Sequence, residues 1–269
     1  MSESEVIQQS KKAYTQNIII DDLKKLSIKK GDNIMVHSSL SQLGWIVGAE
    51  RTVLSALLEV IGEDGTIAMP CFSGDNSDPT LWQNPPIPEA WIEDFRLFLP
   101  PFDPLLTSTR QMGRIVDLFR HYPNVLRSSH PQVSFCALGP LSHSIIDNHQ
   151  LSPSFGKDSP LQRMYDYDFK VLLLGVGYGN CTCMHLGEVW LENNHWIQTG
   201  SRIIENGLSI WKEYQDIDYD DSDFETIGHA YEQVNQVMIG KVAQGEARIV
   251  SMKSITDFAF EWIKDNRIE

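Results

Sequence analysis

The chain has 269 residues, 42% of them hydrophobic and 22% charged, with a formal net charge of −14, a profile of a globular protein with room for a substantial core. The acidic balance argues against nucleic acid as a partner, because phosphate contacts need basic surface, and no apolar run reaches the roughly 18 residues of a membrane span. The opening "MSESEVIQQSKKAY" is polar where a secretory leader is apolar, and Cys71, Cys136, Cys181 and Cys183 have no disulfide spacing, so the cytoplasm is the expected compartment.

In chain order, "DDLKKLSIKKGD" predicts an amphipathic helix ending near Gly31. "NIMVHSSL" follows as a strand running into Ser38 and Ser39. "AERTVLSALLEVIGEDG" sets Val53, Leu54, Leu57, Leu58 and Ile61 at helical spacing, and "TIAMP" is a short buried strand. Between Cys71 and Thr107 seven prolines break the pattern. A loop this long is more often a lid or binding loop than filler, and it holds Asp75, Asp78 and Trp82.

"MGRIVDLFRHYP" predicts a helix with Ile115, Leu118 and Phe119 inward, and "VSFCALG" a strand. "SPLQRMYDYD" predicts a helix capped by Ser159 with Pro160 at its first position. "VLLLGVG" is a buried strand, and "RIIENGLSIWKEY" a hairpin turning at Asn206-Gly207. Ser222 and Glu225 form a capping box for "ETIGHAYEQV"; "EARIVSM" is a last strand and "ITDFAFEWIKD" a closing helix. No repeat or linker interrupts residues 1–269, and strands and helices alternate only in part. The expected fold is one domain of layered α/β structure around a mixed central sheet.

Two features invite a chemical reading. "DIDYDDSDFE", from Asp216 to Glu225, has six carboxylates in ten residues; it is either a solvated face or a surface for a cationic ligand. "CTCMHLGEVW" crowds Cys181, Cys183, His185 and Glu188 just past a buried strand, where open α/β sheets place ligands. Cys181, Cys183 and His185 are zinc-type ligands, but alternate residues of a helix point about 200° apart. Either cysteine can serve as a nucleophile beside a histidine, although free cysteines usually pack. His185 and Glu188 share a helix face, and a carboxylate beside a histidine stabilises the imidazolium, which suits a general base. The same pair also fits a core histidine beside a surface glutamate.

The surrounding blocks discriminate. "VHSSLSQLGWIVGAERTVLSALLEVIGEDGTIAMPCFS", "TSTRQMGRIVDLFRHYPNVLRSSHPQVSFCALG", "SPLQRMY" and "VLLLGVGYGNCTCMHLGEVW" occur in the order of the aminoglycoside 3-N-acetyltransferase family's motifs. They cover roughly residues 31 to 190, and the overall look is most similar to the chromosomal members of Gram-positive bacteria. The resemblance implies that family's own fold, not the GNAT acetyltransferase fold. It implies acetyl transfer from acetyl-coenzyme A, a co-substrate, to the 3-amino group of a 2-deoxystreptamine aminoglycoside, without a covalent intermediate or a metal. His185 is then the base, with Glu188 orienting it or holding the amine. His37, Ser38, Ser39, Thr107, Ser108, Arg110, Arg127 and His130 become candidates for the coenzyme; Asp75, Asp78, Asp220, Asp221 and Asp223 become candidates for the cationic substrate. Two departures stand out. Ala49 follows Gly48 where the family has two glycines, and Gly187 replaces the alanine of H-L-A-E, a change that loosens a helix by about 1 kcal/mol. Other expected readings are an acetyltransferase of the same fold for another small amine, a coenzyme-binding protein without turnover, and a zinc hydrolase. A homodimer is compatible with the sequence, which does not require one.

Overall fold

The computed structural model describes residues 2–267. Nine strands are defined among them: β1 Asn33–Ser38, β2 Thr66–Pro70, β3 Leu126–Arg127, β4 Phe135–Leu138, β5 Lys170–Leu174, β6 Trp196–Glu205, β7 Leu208–Ile217, β8 Met238–Val242 and β9 Gly245–Ser251. Seven form one sheet in the order β3-β4-β2-β1-β5-β9-β8, and β6 pairs only with β7. The centre is parallel, with β1 between β2 and β5. Both flanks are antiparallel, which gives the mixed sheet expected from the interrupted alternation of elements.

Side chains on successive strand residues point to opposite faces, and the two faces bury separate cores. Ile34, Val36, Ile67, Leu172 and Leu174 pack beneath helices Gln16–Lys25, Ala49–Ile61 and Gly113–Arg120. Met35, Ala68, Phe135, Val171 and Leu173 pack with Tyr178, Met184, Phe224 and the closing helix Met252–Asn266. His37 is opposite Leu173 in the β1–β5 register, which places it on the second face.

Several local expectations hold. The helix over Ala49–Ile61 matches its pattern; Ser159 caps Pro160–Asp166 by accepting from the Gln162 amide; and Asn206 and Gly207 both take positive φ at the turn between β6 and β7. Others need correction. The first amphipathic helix stops at Lys25, and Ser27 just beyond it takes a φ of +61°. Val116 is buried with Ile115 and Phe119, and Leu118 packs partly buried against the same core. The helix Phe224–Val234 starts from Asp223, without a capping box at Ser222, because Glu225 accepts a hydrogen bond from the Gly179 amide at 2.8 Å instead. The proline-rich segment holds three 3-10 turns and a helix, Ile92–Phe98. Among the described residues no helix is long and apolar enough to cross a membrane.

Candidate active site

The carboxyl ends of β1 and β5 open a crevice on which both cores border. Beyond β5 the chain turns at Gly175, whose φ is +70°, and runs through two 3-10 turns, Tyr178–Asn180 and Thr182–Met184, into the short helix His185–Val189. Two neighbouring helices hold this run in place. Helix Phe224–Val234 lies so close that a Cβ on Gly228 would collide with the Tyr178 ring. From the closing helix, the Thr256 hydroxyl donates to the Cys183 carbonyl at 3.2 Å. A Cβ on Gly187 would lie 2.9 Å from the Phe260 nitrogen. The expectation for Gly187 therefore changes: its missing side chain lets two helices meet, so it tightens the site.

His185 and Glu188 meet as the i, i+3 spacing predicts. Nδ1–H donates to Glu188 Oε2 at 2.5 Å, and Glu188 is only 3% exposed. The imidazole stacks on Phe155, with centroids 5.2 Å apart and planes 9° apart, and meets Tyr219 and Phe224 at 5.3 and 4.7 Å. Because Nδ1 carries the proton, Nε2 is left with its lone pair, and no protein partner occupies it among the described residues. A carboxylate that orients a histidine and fixes its tautomer in this way makes the free nitrogen a competent base.

Two adjoining cavities open here, and His185 lines the smaller. The smaller, about 290 Å³, is lined by His37, Phe72, Gln111, Thr182, His185 and Asp221 among others. The larger, about 670 Å³, is lined by Ser38, Ser39, Trp45, Gly48, Gly113 and Arg114 among others. Ser38, Gln111, Met112, Val176 and Asn180 border both. Helices Ala49–Ile61 and Gly113–Arg120 begin on the larger cavity, and neither has a side-chain cap, although the Ala49 amide donates to the Ile46 carbonyl at 3.0 Å. Ala49 takes a φ of +50° there, the left-handed region in which glycine is easier. His37 is 8% exposed. Its Nε2 is buried without a partner, and burial pushes its pKa down to about 3, so it is a neutral ring in the cavity wall.

Other site expectations land elsewhere. Arg127 is spent on protein acceptors: the carbonyls of Cys71, Pro104 and Thr107 and the hydroxyls of Ser73 and Ser134. It ties the proline-rich segment to the sheet and borders neither cavity, so the coenzyme-phosphate role gives way to a structural one. His130 is fully buried. Its Nε2–H donates to the Leu151 carbonyl at 3.2 Å, and Nδ1 accepts from the Gln132 and Val133 amides, both at 3.1 Å, which leaves it no atom for a coenzyme. The Thr107 hydroxyl accepts from the Asp103 amide at 2.9 Å. Neither Thr107 nor Ser108 lines the two cavities.

The acidic candidates divide in the same way. Asp75 is paired with Arg110, so each occupies the other. Asp78 is 5% exposed, paired with Arg96 at 2.5 Å and capping the turn Pro79–Leu81. Asp223 is bound by Arg267, and the Asp220 carboxylate accepts from the Ser222 amide at 2.9 Å, which lowers its pKa. Asp221, exposed and on the smaller cavity, is the one of this trio facing the site. Sequence reading missed the aromatic wall of Phe155, Tyr219 and Phe224, and it missed Arg267, whose Nη1 donates to Glu188 Oε1 at 2.5 Å. Segments this distant in sequence announce no short-range signal.

The cysteines settle as packing. All four are buried and unpaired, and the Cys181 and Cys183 sulfurs lie 3.5 Å apart within the second core. Burial and their mutual contact raise the Cys181 thiol well above its ordinary pKa, the opposite of what a nucleophile needs. Among the described residues no group of three or more His, Cys, Asp or Glu side chains is arranged to hold a metal ion.

Comparison with known proteins identifies the family. The family model described as aminoglycoside 3-N-acetyltransferase matches residues 35–264. The chain is 41% identical over 253 residues to the SPbeta prophage-derived aminoglycoside N(3')-acetyltransferase-like protein YokD of Bacillus subtilis (strain 168), spanning 94% of this chain and 93% of the relative. It is 30% identical to aminoglycoside N(3)-acetyltransferase VIII of Streptomyces fradiae, over 98% of this chain and 96% of the relative. The crystal structure of YokD from Bacillus subtilis superposes with a TM-score of 0.96 at 38% identity, covering 98% of each chain.

Proposed function

The chain belongs to the aminoglycoside 3-N-acetyltransferase family, and we propose that it moves acetyl from acetyl-coenzyme A to the 3-amino group of a 2-deoxystreptamine aminoglycoside, with His185 as general base. The observation that carries this reading is a histidine whose Nδ1 is committed to a buried carboxylate and which lines a cavity that shares the wall of Ser38, Gln111, Met112, Val176 and Asn180 with a larger one. A bisubstrate transfer without a covalent intermediate needs two adjoining compartments and a base in the one that takes the amine.

In this reading the coenzyme enters through the larger cavity. Its phosphates lie toward the uncapped helix starts at Gly48 and Gly113, where N–H groups and the helix dipole favour anions. The pantetheine arm passes Ser38 and brings the thioester to the shared wall. The amine occupies the smaller cavity, with Asp221 drawing its cationic groups. An ammonium has no lone pair, so it first releases one proton to solvent; His185 Nε2 takes the second, which the amine loses as it attacks. The nitrogen bonds to the carbonyl carbon, the C–S bond breaks, and the sulfur takes the proton from His185 and leaves as coenzyme A thiol. Negative charge on the carbonyl oxygen needs a donor, and neutral His37 and the Ser38 hydroxyl border the place where it develops.

The test is thiol release from acetyl-coenzyme A across aminoglycosides with and without a free 3-amino group, with the acetylated nitrogen assigned by NMR. Release that requires that amine, with acetyl on it, is the expected result. Acetyl on another nitrogen, or binding of acetyl-coenzyme A with no release for any aminoglycoside, overturns the substrate assignment.

A further inference from the structure

Glu188 has more partners than a carboxylate serving one histidine requires. The closing helix ends at Arg267, whose Nη1 donates to Glu188 Oε1 at 2.5 Å across 79 residues of sequence. The other nitrogens of the same guanidinium donate to both carboxylate oxygens of Asp223, at 2.8 and 2.6 Å, and to the Asp220 carbonyl at 2.6 Å. The Asp220 amide donates to the same Oε1 at 2.9 Å. One oxygen of Glu188 is thus filled by a cation and a backbone N–H, and the other is left for His185. Arg267 does not border either cavity, so it reaches the reaction only through Glu188.

Resting on the reading of His185 as the base, we propose that Arg267 is a positioning residue of this active site: it clamps the Glu188 carboxylate in the orientation that accepts from His185 Nδ1–H and thereby keeps Nε2 free for the substrate. The fork of a guanidinium suits this task, because it binds Glu188 and Asp223 at once and fixes the angle between them. The close approach that the missing Cβ of Gly187 permits is what delivers the closing helix, and Arg267 with it, to this point.

The electrostatic consequence has a definite sign. Around His185, Glu188 and Tyr219 contact the ring, Asp221 and His37 line the same cavity, and Asp220, Asp223 and Arg267 stand behind Glu188. Arg267 is the permanent cation in this set. Without it, a buried carboxylate and three aspartates have only the imidazolium as counter-charge, so His185 holds its proton more tightly. The base form then appears at higher pH.

The experiment is steady-state thiol release from about pH 5.5 to about pH 9 with the wild type, Arg267→Met, Arg267→Lys and His185→Ala. Arg267→Met is expected to lower kcat roughly tenfold at neutral pH, to move the acid limb of kcat/KM up by about one pH unit, and to regain activity under alkaline conditions. Both KM values stay within about threefold, and Arg267→Lys returns the limb most of the way. A loss that is uniform in pH, or an unchanged profile, overturns the proposal. If Arg267→Met does not fold, Arg267→Gln is read in its place. In addition, ¹⁵N-histidine spectra of the wild type must show His185 protonated at Nδ1 when neutral; an Nε2–H tautomer also overturns it. His185→Ala separates the two readings. Turnover that survives there with a wild-type profile removes His185 as the base, whereas an acid limb abolished by His185→Ala but unmoved by Arg267→Met removes only the role given to Arg267.

Discussion

Two histidine corners are joined by the rings of Phe135 and Phe155. At one end His185 stacks on Phe155; at the other His149 lies 6.3 Å from Phe135 and 4.8 Å from His130. In sequence, His130 in "SSHP" and His185 in "MHLGE" look equally suited to a site. Their surroundings make them opposites. His185 gives one nitrogen to a buried carboxylate and turns the other to a cavity. His130 uses both nitrogens on backbone groups, and His149 uses both on the Ser128 hydroxyl and the Ser154 carbonyl. Burial pushes His130 down to about 4, and burial with the neighbouring His130 pushes His149 well below its ordinary value. A buried histidine with satisfied nitrogens is a neutral strut. One with a carboxylate behind it and space in front of it is chemistry.

The contrast can be broken in several places. The largest effect is expected from His185→Ala, which should cost about 10²- to 10⁴-fold in kcat while leaving the melting curve close to that of the wild type. Glu188→Gln removes one of the two carboxylates that hold Arg267, while Asp223 still pairs with it, so thermal melts should show a loss of about 1–3 kcal/mol, with kcat falling roughly ten- to a hundredfold.

The buried neutral histidines, two of them in the second corner, predict a pH effect on stability. His37, His130 and His149 are held neutral in the folded protein, with pKa values lowered to about 3, about 4 and well below 6.5. The unfolded chain takes up these protons near pH 6.5. Stability is therefore fully present above that value and falls as pH drops toward the folded values, by on the order of 1–2 kcal/mol for each histidine between pH 6.5 and pH 5. Urea midpoints measured across that window should decline, and His149→Asn should flatten the decline; a level profile contradicts the assignment. The smallest effect belongs to Gly187→Ala. Its Cβ would press on the backbone at Phe260, at an expected cost of about 1–3 kcal/mol, read as a lower melting temperature.

Much of the first corner was legible in sequence because its signals are local. H-x-x-E spacing puts His185 and Glu188 on one helix face, Ser159-Pro160 opens a helix, and Asn206-Gly207 turns a hairpin, each within a few residues. The limits were physical too. Whether His130 has a free nitrogen depends on the carbonyl of Leu151, and whether Arg127 can meet a phosphate depends on carbonyls at 71, 104 and 107. Asp221 was chosen with Asp220 and Asp223 by charge alone, but only packing decides which of the three faces a cavity. Gly187 read as a weak helix position until the closing helix supplied its reason, and Arg267 belongs to no motif.

The most direct test of the account is kcat for thiol release at saturating acetyl-coenzyme A and aminoglycoside, compared between His185→Ala and His130→Asn after both are shown to be folded. The predicted result is a loss of at least about a hundredfold in the first and a change of no more than a few-fold in the second. A folded His185→Ala that turns over like the wild type would contradict the central claim.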